Sequence, residues 1–139
     1  MRTPSKVYMT KPHQSSPHCL TRAVEFTKAY HPYAWPSSHL DTCWLIEVEQ
    51  DDEMIALVWF NTILPSVIEC HAVSRPDVRN RWLSHELFDM ISHTIKEDTG
   101  CTACVAQIHS PNVARLWKRF GFEIYPTFAI LKVKELEDG

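Results

Sequence analysis

Residues 43–73 hold three β-rich runs in close succession: "CWLIEVE" (Cys43–Glu49), "MIALVWFNTIL" (Met54–Leu64) and "SVIECHAV" (Ser66–Val73). Branched and aromatic side chains suit the pleated, half-buried surface of a sheet. The first two runs are joined by the turn-forming "QDDE", which predicts a hairpin, and the Leu64-Pro65 break sets off the third. This block places a β-sheet at the middle of the chain.

Helices and further strands are expected around it. "KVYMT" (Lys6–Thr10) reads as a short first strand. "HCLTRAVEFTKAY" carries Leu20, Val24, Phe26, Thr27 and Tyr30 at helical spacing, and "HPY" ends that helix. Residues 31–42, "HPYAWPSSHLDT", form an aromatic, Pro-rich connection with room for one short helix. A longer helix is predicted from about Asn80 to Asp98, with Leu83, Leu87, Met90, Ile91 and Thr94 on one face and Gly100 at the left-handed position after it. "CTACVAQIH" reads as the next strand.

"SPNVARLWKRFGFEI" (Ser110–Ile124) then predicts a helix that hands the chain sharply to a strand. Ser110 suits the N-cap and Pro111 the first helical position, where a missing N–H is harmless. Val113, Leu116, Trp117 and Phe120 share one face, while Lys118 and Arg119 sit in the last turn, where the helix dipole favours cations. Gly121 supplies the positive φ that stops the helix, "FEIY" starts a strand, and "TFAILKVKE" is the last strand. The order β-α-(short α)-β-β-β-α-β-α-β-β predicts an α/β fold: a mixed central sheet flanked by helices, a single domain over residues 1–139 with its core at about 7–133.

Composition narrows the function classes. The 139 residues carry a net charge of −3, which gives no electrostatic footprint for nucleic acid or an anionic membrane surface. The N-terminal stretch lacks the apolar core of a signal peptide, and no run approaches the roughly 18 apolar residues of a spanning helix. A cytoplasmic protein is expected, and an odd count of five cysteines reads as reduced thiols. With three glycines, Gly100, Gly121 and Gly139, the chain has neither a GxGxxG fingerprint nor a Walker-type phosphate loop. Cys101-x-x-Cys104 invites a zinc reading, but the pair starts a strand that points i and i+3 to opposite faces, and no second ligand pair lies nearby; no metal is expected.

The element order, with "NVARLWKRFGFEI" and "IECHAVSRPDVRNRW" as its sharpest points, resembles the GNAT-type N-acetyltransferase superfamily over nearly the whole chain. Glu-x-His followed by Pro and Arg is also similar to a divergent branch found in phage genomes, which would place the protein in host cytoplasm or virion. The resemblance implies acetyl-CoA as cofactor, with its pantetheine arm between splayed fourth and fifth strands beside Ala72 and Val73. It lays the family's pyrophosphate loop on "RNRWLS", so that Arg79, Arg81, Trp82, Leu83 and Ser84 become cofactor-binding candidates. Trp82 stands where the family has the first Gly of that loop, a departure that must be offset if phosphate is to approach the backbone. Arg75, Arg79 and Arg81 can offset it with charge, or they are solvated residues around a turn. Ser110 or Asn112 falls at the family's Asn position against the cofactor.

For catalysis, alternation puts Val67, Glu69, His71 and Val73 on one face of a strand. Two titratable groups side by side on a central strand are unusual, since buried charge is costly. Glu69 as general base with His71 relaying a proton is one reading; a structural pair is the other. The family's late Leu-Tyr pair is Leu116-Trp117 here, and an indole N–H cannot protonate a thiolate, so Trp117 is assigned to the core or to a wall of the cofactor groove. Tyr33 and Trp35, with Tyr30 and His39, lie where the superfamily keeps its substrate loop and can bind an amine by cation–π contact or form a protein interface. Two functions follow. One is acetyl transfer to an amine of a small molecule or protein. The other is a non-catalytic GNAT-fold virion, assembly or binding module, with another protein or a second copy as partner.

Overall fold

The structure is a computed structural model that describes residues 5–31, 36–78, 84–108, 111–125 and 128–133, with the side chains of 111–113 left out. Seven strands form one mixed sheet in the order β1-β2-β3-β4-β5-β7-β6. They are β1 (Lys6–Thr10), β2 (Trp44–Gln50), β3 (Glu53–Leu64), β4 (Val67–Ser74), β5 (Ala103–Gln107), β6 (Glu123–Ile124) and β7 (Phe128–Lys132). The helices are α1 (Pro17–Tyr30), α2 (Ser37–Leu40), α3 (His85–His93) and α4 (Pro111–Arg119). The described residues fall into two compact units, one within 1–59 and 72–90 and the other within 60–71 and 91–139.

In the first unit β1 runs antiparallel to β2, from Lys6↔Glu49 to Thr10↔Leu45. The hairpin from β2 to β3 turns on Asp51 and Asp52, both left-handed at φ 53° and 65°. A two-residue turn of this hand matches the twist of the strands it joins. At the start of α1 the Ser16 hydroxyl accepts the Cys19 amide, with Pro17 at the first helical position. The helix buries Ala23 and Phe26 against Leu40, Cys43, Leu45, Met54, Leu57, Trp59 and Val73, with Leu20 and Val24 packed at the margin. Buried Thr27 is satisfied by donating its hydroxyl to the Val24 carbonyl. Tyr30 ends the helix exposed, with its ring 4.9 Å from that of Phe26.

In the second unit β5 pairs parallel with β4 and antiparallel with β7. The described part of α3 starts in the first unit at His85, after the predicted Asn80, where the Ser84 hydroxyl caps the Leu87 amide at 3.1 Å, and its last residues from Ile91 belong to the second. Leu87 and Ile91 are buried, and Thr94–Asp98 widens into a π-helical turn closed by Thr99 N–H to the Thr94 carbonyl. Gly100 follows at φ 66°, the left-handed position expected of it. At the end of α4 the Phe122 amide reaches the Trp117 carbonyl and the Gly121 amide the Lys118 carbonyl, a Schellman closure made possible by Gly121 at φ 90°. Phe122 then packs under Trp117, so the helix-to-strand handover read from sequence is the one observed. The predicted N-cap, Ser110, lies outside the described residues.

Left-handed backbone is unfavourable for residues other than glycine. Replacing Asp51-Asp52 by Asn-Gly is expected to raise stability by about 1 kcal/mol, read as a higher urea midpoint at unchanged slope. A lowered midpoint would contradict the turn conformation.

Candidate active site

β4 brings the two catalytic candidates together. His71 Nε2 lies 2.8 Å from Glu69 Oε1, confirming that the two share a face of the strand. The imidazole is the deeper partner: its side chain is 7% exposed and that of Glu69 is 18% exposed. Glu69 therefore reaches toward solvent while His71 backs it from inside.

A third residue completes the cluster. Asn61, on neighbouring β3, is buried and places Oδ1 3.0 Å from the same His71 Nε2. Sequence reasoning passed over it. The signal was there, since Asn61 is the first polar side chain in a run of otherwise apolar residues from Met54 to Phe60. A buried amide in such a strand needs a hydrogen-bond partner.

The opposite face of β4 is apolar. Ile68 and Cys70 are buried, and burial pushes the Cys70 thiol well up, helped by the neighbouring Cys104. Buried thiols of this kind contribute packing. All five cysteines are free thiols. Cys101 donates to the Ile95 carbonyl, and the described residues contain no cluster of metal-ligating side chains.

The ladder between β4 and β5 is short. Among the described residues it runs from Val67↔Ala103 to Cys70↔Ala106. β4 continues to Ser74 beyond that point. Glu69 and His71 thus bracket the position where the two strands stop pairing.

The other candidates divide clearly. Val73 is buried against α1, and Ala72 is half-buried. Ser84 spends its hydroxyl as the cap of α3. Trp117 is a core residue, buried between Phe120 and Phe122 at 6.1 and 5.3 Å between ring centroids. Arg75 does not stand ready for phosphate: its guanidinium is held by Asp77 at 2.8 and 3.0 Å and by Glu53 at 3.0 Å. These two carboxylates raise its pKa and leave the group around it net negative. Arg79, Arg81, Trp82, Leu83, Ser110, Tyr33 and Trp35 lie outside the described residues, as does the side chain of Asn112 in the first turn of α4.

A second polar cluster sits between α1 and β2. Cys19 Sγ lies 3.7 Å from Glu47 Oε1, and Arg22 pairs with Glu49. Burial raises the Glu47 carboxyl pKa, with Arg22 pulling the other way; burial and then Glu47 raise that of the Cys19 thiol.

No protein-family model matches this sequence, and no curated protein matches it by sequence comparison. Solved structures do match. The ribosomal-protein-S18-alanine N-acetyltransferase of Escherichia coli superposes with a TM-score of 0.65 at 13% identity, covering 92% of this chain and 94% of that one. The fold is that of the GNAT acetyltransferases. yncA of Salmonella typhimurium, solved with its cofactor acetyl-CoA, gives 0.66 at 15% identity over 93% and 95% of the two chains. The dodecameric spermidine N-acetyltransferase of Vibrio cholerae gives 0.68 at 9% identity over 95% of each. At these identities the match carries the GNAT architecture, while activity has to be argued from the site. None of these three neighbours adds to the phage resemblance. Among the described residues no helix is long and apolar enough to cross a membrane.

A carboxyl whose folded pKa is raised binds protons more tightly in the folded than in the unfolded state. Stability then falls as pH rises from the unfolded value of about 4.3 through the raised one. For Glu47 this predicts a declining stretch of the stability–pH curve just above that value, and Glu47→Gln should flatten it. Urea unfolding of both proteins at pH 4 and pH 7 checks this; an equal decline in the variant would contradict it.

Proposed function

We propose that this protein is an acyl-CoA-dependent N-acetyltransferase acting on an amine, with Glu69 as general base and His71 as its support. The observation that carries the reading is the Glu69–His71 pair at the last rung of the β4–β5 ladder. There a partly exposed carboxylate is backed by a buried imidazole. Charged side chains on a central strand are costly unless paired, and a pair that also reaches solvent suits proton transfer.

Acetyl-CoA would supply an activated thioester. Its arm would lie along β4 past the last described rung, beside Ala72 and Val73. The phosphate end would fall to residues 79–83 and to the amides that open α3, where the helix dipole favours an anion. Glu69 would take a proton from the acceptor ammonium, freeing the amine to form the C–N bond as the C–S bond breaks. The second amine proton, lost as the amide forms, passes through water to the departing thiolate, whose ordinary thiol pKa near 8.5 needs no dedicated acid. Substrate contacts by Tyr33 and Trp35, and cofactor contacts by Arg79, Arg81, Trp82, Leu83, Ser110 and Asn112, belong to this same proposal. The acceptor is an amine of a small molecule or of a protein.

The second reading is a binding, virion or assembly module that keeps the scaffold without the reaction, with a second copy or another protein as partner. It is favoured by Arg75, whose guanidinium is committed to Asp77 and Glu53.

Thermal unfolding with added acetyl-CoA separates the two. At a hundredfold excess over its dissociation constant the ligand should add about 2.7 kcal/mol to stability. Glu69→Gln should keep that stabilisation and slow acetyl transfer by about 10²–10⁴-fold. Absence of stabilisation at millimolar acetyl-CoA would leave the module reading. Undiminished turnover in the variant would remove Glu69 from the chemistry.

A further inference from the structure

His71 Nε2 meets two oxygens at once, Glu69 Oε1 at 2.8 Å and Asn61 Oδ1 at 3.0 Å. Both are hydrogen-bond acceptors, so the nitrogen between them has to carry the proton. Turning the Asn61 amide to present its NH₂ would require a bare lone pair on Nε2. That lone pair would then face a carboxylate oxygen at 2.8 Å, a repulsion that only protonation of Glu69 could relieve. With Glu69 ionised, the oxygen-in orientation of Asn61 is the one in which both contacts at Nε2 are complementary.

We propose that Asn61 is a positioning residue: with Glu69 it fixes the proton on His71 Nε2, making the ring a directed donor to the carboxylate and barring that nitrogen from acting as a base. This rests on the acetyl-transfer reading and assigns the base within it. A proton taken from the amine goes to the Glu69 carboxylate and not to the imidazole nitrogen beside it. The cluster is well placed to hold this arrangement, because Asn61 and His71 are buried and stand on neighbouring strands β3 and β4. A ring held between two strands by two acceptors has little freedom to rotate, and the tautomer of a histidine follows the hydrogen bond it makes. His71 therefore acts through Glu69, as does Asn61, and Glu69 is the group that meets the substrate.

The test uses the full chain with ¹⁵N-labelled histidine. In the wild type at pH 7.5, NMR should show His71 Nε2 as the protonated ring nitrogen, with its proton signal displaced by a strong hydrogen bond. In Asn61→Leu, similar in size but without an acceptor, that proton signal should move and turnover should fall about tenfold while KM for acetyl-CoA stays within twofold. Asn61→Asp keeps the oxygen and should retain the proton on Nε2. An unprotonated Nε2 in the wild type overturns the inference, as does a proton signal unmoved in Asn61→Leu. Should the wild type release no CoA with any amine, the acetyl-transfer reading fails, and the nitrogen shifts still decide whether Asn61 sets the tautomer.

Discussion

The parallel ladder between β4 and β5 holds four rungs and then stops, and the candidate site depends on that stop. Backbone N–H and C=O groups must be paired or solvated, so a strand that leaves its neighbour presents polar groups to whatever lies alongside. β4 runs on to Ser74 past the last described rung at Cys70, with Glu69 one residue inside that rung. A continuous ladder would have turned the same sequence into an ordinary central strand with two awkward titratable residues. The proposed acetyl transfer rests on Glu69 and His71 lying at the end of that ladder.

Polar groups are admitted to the sheet only in company. Glu47 has Cys19 beside it, Glu49 has Arg22, and His71 has both Glu69 and Asn61. The two clusters differ in kind. At Glu47 burial outweighs the nearby arginine and the carboxyl pKa is raised, which suits a structural contact between α1 and β2. At Glu69 the carboxylate is partly exposed and directed by a buried donor, an arrangement suited to moving protons. On the far side of β4, Cys70 and Cys104 are buried thiols that contribute packing.

Much of the architecture was legible in the sequence because its signals are local. The hairpin showed in "QDDE", the closure of α4 in Gly121 followed by Phe122, and the pairing of Glu69 with His71 in the two-residue period of a strand. Less was legible where the cause is tertiary. Tyr30 sits at helical spacing with Phe26 in α1 yet ends exposed at the end of that helix. Arg75 looked available to phosphate, but Glu53, 22 residues away, had to be seen in space before its capture was evident. Asn61 was missed for the same reason, since its partner lies ten residues further on and across a strand pair. The expected phosphate loop and the aromatic substrate loop fall largely on residues outside the described ones, so the sequence remains the source for those assignments.

Residue-resolved amide hydrogen exchange along β4, with and without acetyl-CoA, tests the central claim most directly. The amides within the four-rung ladder, Val67–Cys70, should exchange slowly and equally in both conditions, while those past it, Ala72–Ser74, should slow markedly when acetyl-CoA is added. Uniform protection along the whole strand without ligand, or no slowing past Cys70 at saturating acetyl-CoA, would contradict the account.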